Sequence, residues 1–363
     1  MKIALVHDFL VQDGGAERVL KVLAEMFPSA PIYTLLYQAD KVDGFFKSRK
    51  IHTSFLQNSF LAKGNYRLLL KKMPEAVEKF DLSGYDLVIS SASAFAKGVK
   101  TKAPTKHICY CHTPTRYLWS DRESYVKELP YHPWIKKFIP LILDKLKVWD
   151  ITAAQRPDYY LANSHLVQAR IKEYYGRDSQ VIYPPVDCAS FFIRDGFKDY
   201  FLAGGRLVAY KKFDLVIKVF NRLGWPLKIF GLGPELAKLK NLADVNIEFL
   251  GYVSASRLRE LYANAKAFVH PQVEDFGLVA VEAQSSGRPV IAYKVGGASE
   301  TVASGKTGIL FAEQKENSMA EAIKKFREED FKPAEIREHA LKFDRSVFER
   351  EIKKFIDYVV SNN

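Results

Sequence analysis

The chain has 363 residues, 48% hydrophobic and 26% charged, a balance that excludes a disordered protein and favours two domains of ordinary size. Its formal net charge of +12 is concentrated in the first half, which indicates an anionic partner (a membrane surface, a phosphate-bearing acceptor or nucleic acid) or simply a lysine-rich solvated surface. The longest apolar stretches are too short to span a bilayer, and Met1 leads directly into a strand without a signal peptide. We therefore expect a cytoplasmic protein that could bind the inner face of the membrane peripherally.

Short apolar segments alternate with longer amphipathic segments along the whole chain, as they do in βαβ units. In the first half the predicted strands are residues 3–6, 32–34, 87–90, 107–110 and 160–162, and a helix over 17–27 follows the first of them. In the second half the strands are 200–203, 227–230, 247–250, 267–269, 290–292 and 308–311, with helices near 256–264 and 318–328. This order predicts an α/β protein with two Rossmann-like domains, each built on a parallel sheet.

The paired prolines in residues 181–187 force an extended chain and predict a linker. We therefore expect an N-terminal domain over 1–182 and a C-terminal domain over 183–345, with their sheets facing a central cleft. The last helix, about 346–361, follows no strand of its own, so we expect it to pack back on the first domain.

Three cysteines, Cys109, Cys111 and Cys188, cannot all pair within one chain. A C-x-C pair without a second cluster is weak evidence for zinc. The sequence therefore predicts buried thiols in a reducing compartment and no metal site.

The segment from 267 to 287 contains the most informative polar residues. A buried strand runs into a loop with Glu274 and Asp275, and a helix then begins near Gly277. Open α/β sheets bind ligands at the carboxyl ends of their strands, which is where this loop lies. The first N–H groups of a helix lack intrahelical acceptors and attract phosphate. These groups belong to Phe276, Gly277, Leu278 and Val279.

Glu282 stands eight residues after Glu274, in the helix itself. Carboxylates accept hydrogen bonds from hydroxyls, so one could bind a sugar and the other a ribose. Each carboxylate alone could equally be a solvated surface group. Their combination on a strand, loop and helix favours a nucleotide-sugar site.

The stretch 274–283, followed by Gly296-Gly297-Ala-Ser-Glu300, closely resembles the E-x7-E region of the retaining family 4 of GT-B glycosyltransferases. Residues 202–217, which include Arg206 and Lys211, resemble another motif of that family, as do residues 249–253 and 263–267. The resemblance covers nearly the whole chain. It implies the GT-B fold and retaining transfer of a hexose from a sugar nucleotide, with no cofactor and no metal.

The resemblance also implies roles for single residues. Glu274 would contact the donor sugar, and Arg206 and Lys211 would neutralise the diphosphate, since two fixed cations can do so without a metal. The catalytic residues implied in this way are His112, Arg206, Lys211 and Glu274. The donor-binding residues implied are Gly15, Val253, Asp275, Phe276, Gly277, Leu278, Val279 and Glu282, with Glu282 on the ribose.

Two segments of the first half indicate an acceptor side. Gly14-Gly15 precedes a helix that contains Glu17, which is an ordinary turn by itself but resembles the family's G-G-x-E block. His112 follows a strand at the ligand-binding edge, where the family places a histidine beside the reacting sugar. A buried histidine bonded to a carbonyl is the alternative. Arg116 follows it and is assigned to the acceptor side.

The aromatic segment 109–119 resembles mannosyltransferases of surface-polysaccharide assembly. That resemblance implies GDP-mannose as donor and a glycan or polyprenyl-diphosphate-linked acceptor. Residues 63–72 and 134–141 combine lysine and arginine with apolar side chains and could contact an anionic membrane. They could also be amphipathic segments that pack on their own domain.

Three other functions stay open. The first is a UDP-sugar-dependent glycosyltransferase, and the second is a sugar-nucleotide epimerase on the same fold. The third is a nucleic-acid-binding protein, which the positive charge allows although the sequence has no recognisable reader motif.

Overall fold

The computed structural model describes residues 1–128, 132–196 and 198–361. The chain divides into two compact units. The first unit contains residues 1–183 and the described residues from 349 onward, and the second contains 184–348. Pro184 and Pro185, in the segment predicted to be a linker, are the first residues of the second unit.

The first unit is built on a seven-stranded sheet in which every pairing is parallel. Its strands are β1 (Ile3–His7), β2 (Ile32–Thr34), β3 (Ile51–Thr53), β4 (Leu87–Ala92), β5 (Lys106–Cys111), β6 (Tyr159–Ala162) and β7 (Gln180–Val181). Their order across the sheet is β3-β2-β1-β4-β5-β6-β7. β4 lies at the centre and is buried along its whole length, as expected of an internal strand of a parallel sheet.

Six helices flank this sheet within the described residues: α1 (Gly15–Met26), α2 (Met73–Glu78), α3 (Arg122–Glu128), α4 (Pro133–Lys136), α5 (Ile139–Ala153) and α6 (His165–Tyr175). Helix α1 is amphipathic and buries Val19, Leu20 and Leu23. Cys109 and Cys111 lie in the hydrophobic core of this unit, and Cys188 is buried in the second unit. All three thiols are buried, as predicted, and none forms a disulfide among the described residues.

The second unit is built on a six-stranded parallel sheet. Its strands are β8 (Phe201–Gly204), β9 (Leu227–Phe230), β10 (Ile247–Gly251), β11 (Phe268–His270), β12 (Val290–Tyr293) and β13 (Gly308–Phe311). Their order is β10-β9-β8-β11-β12-β13. The helices are α7 (Phe213–Leu223), α8 (Leu236–Leu242), α9 (Ala255–Asn264), α10 (Leu278–Ser285), α11 (Ala298–Thr301), α12 (Glu316–Lys324) and α13 (Pro333–Ala340).

A last helix, α14 (Arg345–Ser361), begins in the second unit, and its residues from Glu349 onward belong to the first. There Phe355 packs edge-on against Tyr159 of β6, with ring centroids 5.8 Å apart. Among the described residues, no helix is both long and apolar enough to cross a bilayer.

Each sheet has one point where the chain order reverses. In the first sheet this point lies between β1 and β4, and in the second it lies between β8 and β11. The loops that follow these two strands diverge to opposite faces of the sheet, and ligands of open α/β sheets bind in the resulting crevice. The fold therefore provides one candidate crevice in each unit.

The α/β class and the two parallel sheets are confirmed, and every predicted strand is present within about one or two residues of its predicted ends. The strand predicted at 267–269 is Phe268–His270. β3 was not predicted, and β7 overlaps the start of the predicted linker. The helix predicted over 318–328 was placed too late, because α12 begins at Glu316 and ends at Lys324.

Candidate functional site

An ion pair joins the two loops at the crevice of the second unit. Lys211 lies in the turn between β8 and α7, and Glu274 lies in the loop between β11 and α10. β8 and β11 are neighbours, so their loops meet although 63 residues separate Lys211 from Glu274. Lys211 Nζ is 2.7 Å from Glu274 Oε1, and the two side chains are only 11% and 17% exposed. Two residues to which the family resemblance gave separate roles on the donor thus meet at one point.

The protonation states of this cluster follow from burial and charge. Burial alone would raise the pKa of Glu274, but the charge of Lys211, with smaller effects of His270 and Gln272, lowers it to about 2. Burial also lowers the pKa of His270 to about 4, opposed by Glu274 and reinforced by Lys211. At neutral pH Glu274 is therefore a carboxylate and His270 a neutral imidazole.

The start of helix α10 depends on a glycine. Gly277 has φ = +89°, in the left-handed region that favours glycine. A Cβ at this position would also lie 3.2 Å from His270 Nε2. Gly277 has no side chain to cap the helix start, and the described residues show no side-chain cap there. The N–H groups of the first turn, at Leu278 and Val279, therefore remain available to an anionic group.

Two further glycines hold the Glu274 loop in place. The Gly297 N–H donates to the Glu274 carbonyl oxygen at 2.8 Å. A Cβ at Gly296 would lie 2.6 Å from the same oxygen, and a Cβ at Gly297 would overlap the backbone of Phe276. The chain after β12 thus approaches the loop so closely that only glycine fits, and this contact fixes the loop backbone.

The other residues predicted on the donor side differ in burial and in their place on the second sheet. Glu282 is 5% exposed and accepts a hydrogen bond from Tyr262 Oη at 3.1 Å, so it is not the solvated surface residue considered as an alternative. Asp275 is half-buried in the loop, and Arg206 is exposed in the turn after β8. Val253 follows the edge strand β10, with β9 and β8 between it and β11.

The crevice of the first unit contains a cavity of about 270 Å³. Glu17 and Arg116, both predicted on the acceptor side, line it together with the rings of Phe9, Tyr66 and Tyr117. Glu17 is 4% exposed, and its Oε2 atom has no hydrogen-bond partner among the described residues. The cavity therefore combines a carboxylate oxygen, a guanidinium group and aromatic surfaces.

Gly14 and Gly15 start helix α1 beside this cavity. Gly14 is the residue before the helix and Gly15 its first residue. A Cβ at Gly14 would lie 2.9 Å from Glu17 Oε2. The first glycine thus leaves room for the Glu17 carboxylate at the positive end of the helix dipole, where a negative charge is stabilised.

Sequence analysis did not identify Asp8, the residue after β1. Its Oδ2 accepts the N–H groups of Ser93 and Ala94 at 2.6 and 2.8 Å. Its Oδ1 accepts those of Phe95 and Ala96 at 2.7 and 2.6 Å. This buried carboxylate therefore organises the loop after β4. A charged residue directly after an apolar strand was the signal that could have found it.

His112 lies directly after β5 and is 8% exposed. Its Nε2 is 2.8 Å from Ser91 Oγ, so it is buried, as the alternative required, but bonded to a hydroxyl and not to a carbonyl. Burial, with a smaller effect of His7, lowers the pKa of His112 to about 3. The imidazole is therefore neutral at physiological pH.

Both halves of the chain match family models of glycosyltransferases. Residues 13–190 match the model described as Glycosyltransferase Family 4, and residues 193–343 match the model described as Glycosyl transferases group 1. A 176-residue segment is 28% identical to an uncharacterised glycosyltransferase of Methanocaldococcus jannaschii and covers 47% of this chain and 50% of that protein. A 131-residue segment is 35% identical to an exopolysaccharide phosphotransferase of Streptomyces coelicolor, covering 32% of this chain and 14% of that protein. The chain therefore spans half or less of these two relatives.

Among solved structures, the chain is similar to the Anabaena protein HepE in complex with UDP-glucose. The TM-score is 0.73 at 19% identity, over 99% of this chain and 100% of that one. This likeness shows the fold. The chain thus has the GT-B fold, and each of its halves matches one of the two glycosyltransferase models.

Proposed function

We propose that this protein is a glycosyltransferase that moves a hexose from a nucleoside diphosphate sugar to a glycan hydroxyl with retention of configuration. The observation that carries the proposal is the Lys211–Glu274 pair beside the uncapped start of helix α10. A cation, a hydroxyl-binding carboxylate and free helix N–H groups together suit a sugar bonded to a diphosphate. The matches of both halves to glycosyltransferase models support it.

A difference between the two crevices supports placing the diphosphate in the second unit. In the first unit, the N–H groups of residues 93–96 already bond to the carboxylate of Asp8. An external anion would have to displace a buried charge of the protein. Within the described part of the second unit, no side-chain cap is made at the start of helix α10. A donor phosphate at this helix start replaces only solvent.

Fixed charges would then assist departure of the nucleoside diphosphate. An ammonium group has three N–H donors, so Lys211 can bond Glu274 and a phosphate oxygen at once. Arg206 adds a second cation from the same β8–α7 connection. When the anomeric C–O bond to phosphate breaks, these cations stabilise the charge that develops, which a metal would otherwise do. The acceptor oxygen forms the new bond on the same face, and its proton passes to the departing phosphate.

Two carboxylates would orient the donor. Glu274 accepts hydrogen bonds from the hexose hydroxyls, and Glu282 accepts them from the ribose. Tyr262 holds Glu282 by the hydrogen bond from its hydroxyl group. Asp275 and Val253 stay proposed donor contacts.

The cavity of the first unit is the proposed acceptor site. Its aromatic rings can pack on the apolar face of a sugar, and Glu17 can accept hydrogen bonds from sugar hydroxyls. Arg116 suits a phosphate or carboxylate group of the acceptor. His112, by resemblance to the family, acts beside the reacting sugar.

We propose GDP-mannose as the donor, because the segment 109–119 resembles mannosyltransferases of polysaccharide assembly. A UDP-sugar is the alternative, since the HepE structure contains UDP-glucose. A thermal-shift series with GDP, UDP, ADP and their common sugars tests both, because a ligand that binds the native state raises Tm. The largest shift is expected with GDP-mannose. A Tm shift with UDP-sugars alone would show that the donor is a UDP-sugar. The absence of a shift with any of these ligands would refute the proposed function.

A basic apolar surface on the first unit suits a lipid-linked acceptor. We define it by Lys71, Phe138, Leu141, Lys145 and Val148. The first four line a groove of about 480 Å³, so the two segments considered for membrane contact lie side by side. Phe138, Leu141 and Val148 are 58%, 60% and 68% exposed. Leu141, Lys145 and Val148 are spaced i, i+4, i+7 on helix α5 and share one face.

Apolar side chains among lysines complement an anionic bilayer, where each lysine near the surface contributes about 1 kcal/mol. We therefore propose that the basic apolar surface binds the inner face of the cytoplasmic membrane. There the enzyme would meet a polyprenyl-diphosphate-linked glycan.

Two rival functions predict different results. An epimerase would turn over its sugar nucleotide with no acceptor present, whereas a glycosyltransferase would show only slow hydrolysis. A nucleic-acid-binding protein would bind duplexes with a steep dependence on salt. Tight duplex binding without affinity for any nucleoside diphosphate would refute the transferase.

A further inference from the structure

Three buried polar side chains form a continuous hydrogen-bonded chain in the first unit. His7 and Ser91 are paired residues on the neighbouring strands β1 and β4. His7 Nδ1 is 3.1 Å from both the Ser91 carbonyl oxygen and Ser91 Oγ. Ser91 Oγ is 2.8 Å from His112 Nε2. The proposed function gives no role to His7 or Ser91.

The partners determine where the hydrogens lie. A carbonyl oxygen only accepts, so His7 Nδ1 must carry a hydrogen, which it shares between the two oxygens of Ser91. Ser91 Oγ then accepts from His7 and directs its own hydrogen to His112 Nε2. The reverse order would aim two N–H groups at Ser91 Oγ and leave the hydroxyl hydrogen with no acceptor among these groups. In neutral His112 the ring hydrogen is therefore on Nδ1.

The outer end of the chain lies beside a carboxylate. His7 Nε2 is 3.8 Å from Glu17 Oε1, which is too long for a direct hydrogen bond. Both side chains are nearly inaccessible to solvent, at 3% and 4%. The chain thus runs from the wall of the acceptor cavity to His112.

We infer that His7 and Ser91 are positioning residues that hold His112 in the Nδ1-protonated tautomer. His112 then offers a hydrogen-bond donor at Nδ1, and its other nitrogen, already bonded to Ser91, cannot act as a general base. This agrees with a mechanism in which the departing phosphate takes the acceptor proton. Only the identity of the group that His112 Nδ1–H contacts rests on the proposed function.

Long-range nitrogen-15 NMR of histidine-labelled protein reports the tautomer directly, without an activity assay. His112→Gln assigns the His112 signals by their loss. In the wild type we expect the Nδ1-protonated pattern, and in Ser91→Ala we expect a mixture of both tautomers. An Nε2-protonated or imidazolium pattern in the wild type, or an unchanged His112 pattern in Ser91→Ala, would overturn the inference.

The neighbouring pair of Ser90 and His107 supplies a matched control. Ser90 Oγ is 2.8 Å from His107 Nε2, and both residues are fully buried. Ser90→Ala should alter the His107 signals and leave the His112 tautomer and the transfer rate unchanged.

The transfer rate provides a second readout. Ser91→Ala should lower kcat by about tenfold through lost orientation, with little change in the donor KM, and Ser91→Thr should recover most of the loss. Equal kcat in Ser91→Ala and the wild type would contradict a positioning role. If the expected tautomer is found in a protein that shows no transferase activity with any sugar nucleotide, the proposed function fails and the tautomer assignment stands.

Discussion

Replacing Lys211 with methionine removes one charge of the proposed donor site and keeps most of the side-chain volume. Glu274→Gln removes the other charge, and the double variant leaves two neutral groups. The wild-type charges are 2.7 Å apart and mostly buried. Each single variant therefore leaves a buried charge without its partner, whereas the double variant does not.

The size of this effect follows from the geometry. Two unit charges 2.7 Å apart attract by about 6 kcal/mol at an effective dielectric constant of about 20. Burial offsets part of this attraction, and the pKa of Glu274 falls from 4.5 to about 2. That shift corresponds to about 3 kcal/mol. We expect each single variant to lose about 3 kcal/mol of unfolding free energy, and the double variant to lose clearly less than the sum.

The same shift gives the pH dependence. The pKa of Glu274 is lowered on folding, so its contribution to stability is complete above the ordinary value of 4.5 and is lost as the pH falls to about 2. Urea unfolding between pH 7 and pH 3 measures this loss. The wild type should lose more stability over this range than Glu274→Gln.

Initial rates separate function from stability. Both singles and the double variant should lower kcat by about 10²–10³-fold, because each lacks a charge that stabilises the departing diphosphate or the donor sugar. Lys21 and Asp43 form a control pair 2.8 Å apart whose side chains are 34% and 36% exposed. Lys21→Met should cost less than about 1 kcal/mol and leave the rate unchanged. Near-normal rates in both site singles, or additive losses of stability, would refute the reasoning.

Two further predictions concern a surface and a glycine. The double variant Lys71→Ala, Lys145→Ala should bind anionic vesicles about 30-fold more weakly in a sedimentation assay, because two lysines contribute about 2 kcal/mol. The control Val245→Ser, on the other unit, should not weaken this binding. Equal binding of the wild type to zwitterionic vesicles would count against the proposed surface. Gly297→Ala should destabilise the protein by about 1–3 kcal/mol and weaken nucleotide binding, because the new Cβ would overlap the Phe276 backbone. The control Gly84→Ala, whose new Cβ would meet no atom within 4 Å, should change neither stability nor nucleotide binding. A Gly297→Ala variant with wild-type stability and binding would contradict the close packing.

The sequence allowed the second unit to be predicted well, because its informative residues are contiguous. Strand, loop and helix follow one another from Phe268 to Ser285, so spacing alone locates Glu274 and the glycine that starts helix α10. Gly296 and Gly297 resembled a family motif, but their contact with the loop depends on the pairing of β11 with β12. Short-range pattern could not supply that pairing.

The first unit was harder to predict, since its site is formed by residues far apart in sequence. His7 and Ser91 are 84 residues apart and meet only through the register of β1 with β4. Asp8 reaches residues 93–96 for the same reason. β3 and β7, at the two edges of this sheet, have three and two residues, too few to show a periodic pattern.

The contact of Gly297 with the Phe276 backbone has a consequence for changing the specificity of this protein. A backbone held by glycine on one side and by a left-handed residue, Gly277, on the other cannot be moved by single substitutions without loss of stability. Directed evolution of donor choice should therefore succeed through side chains of the loop that are partly exposed, such as Asp275. Libraries that vary the glycines should return mostly destabilised variants that bind nucleotide weakly.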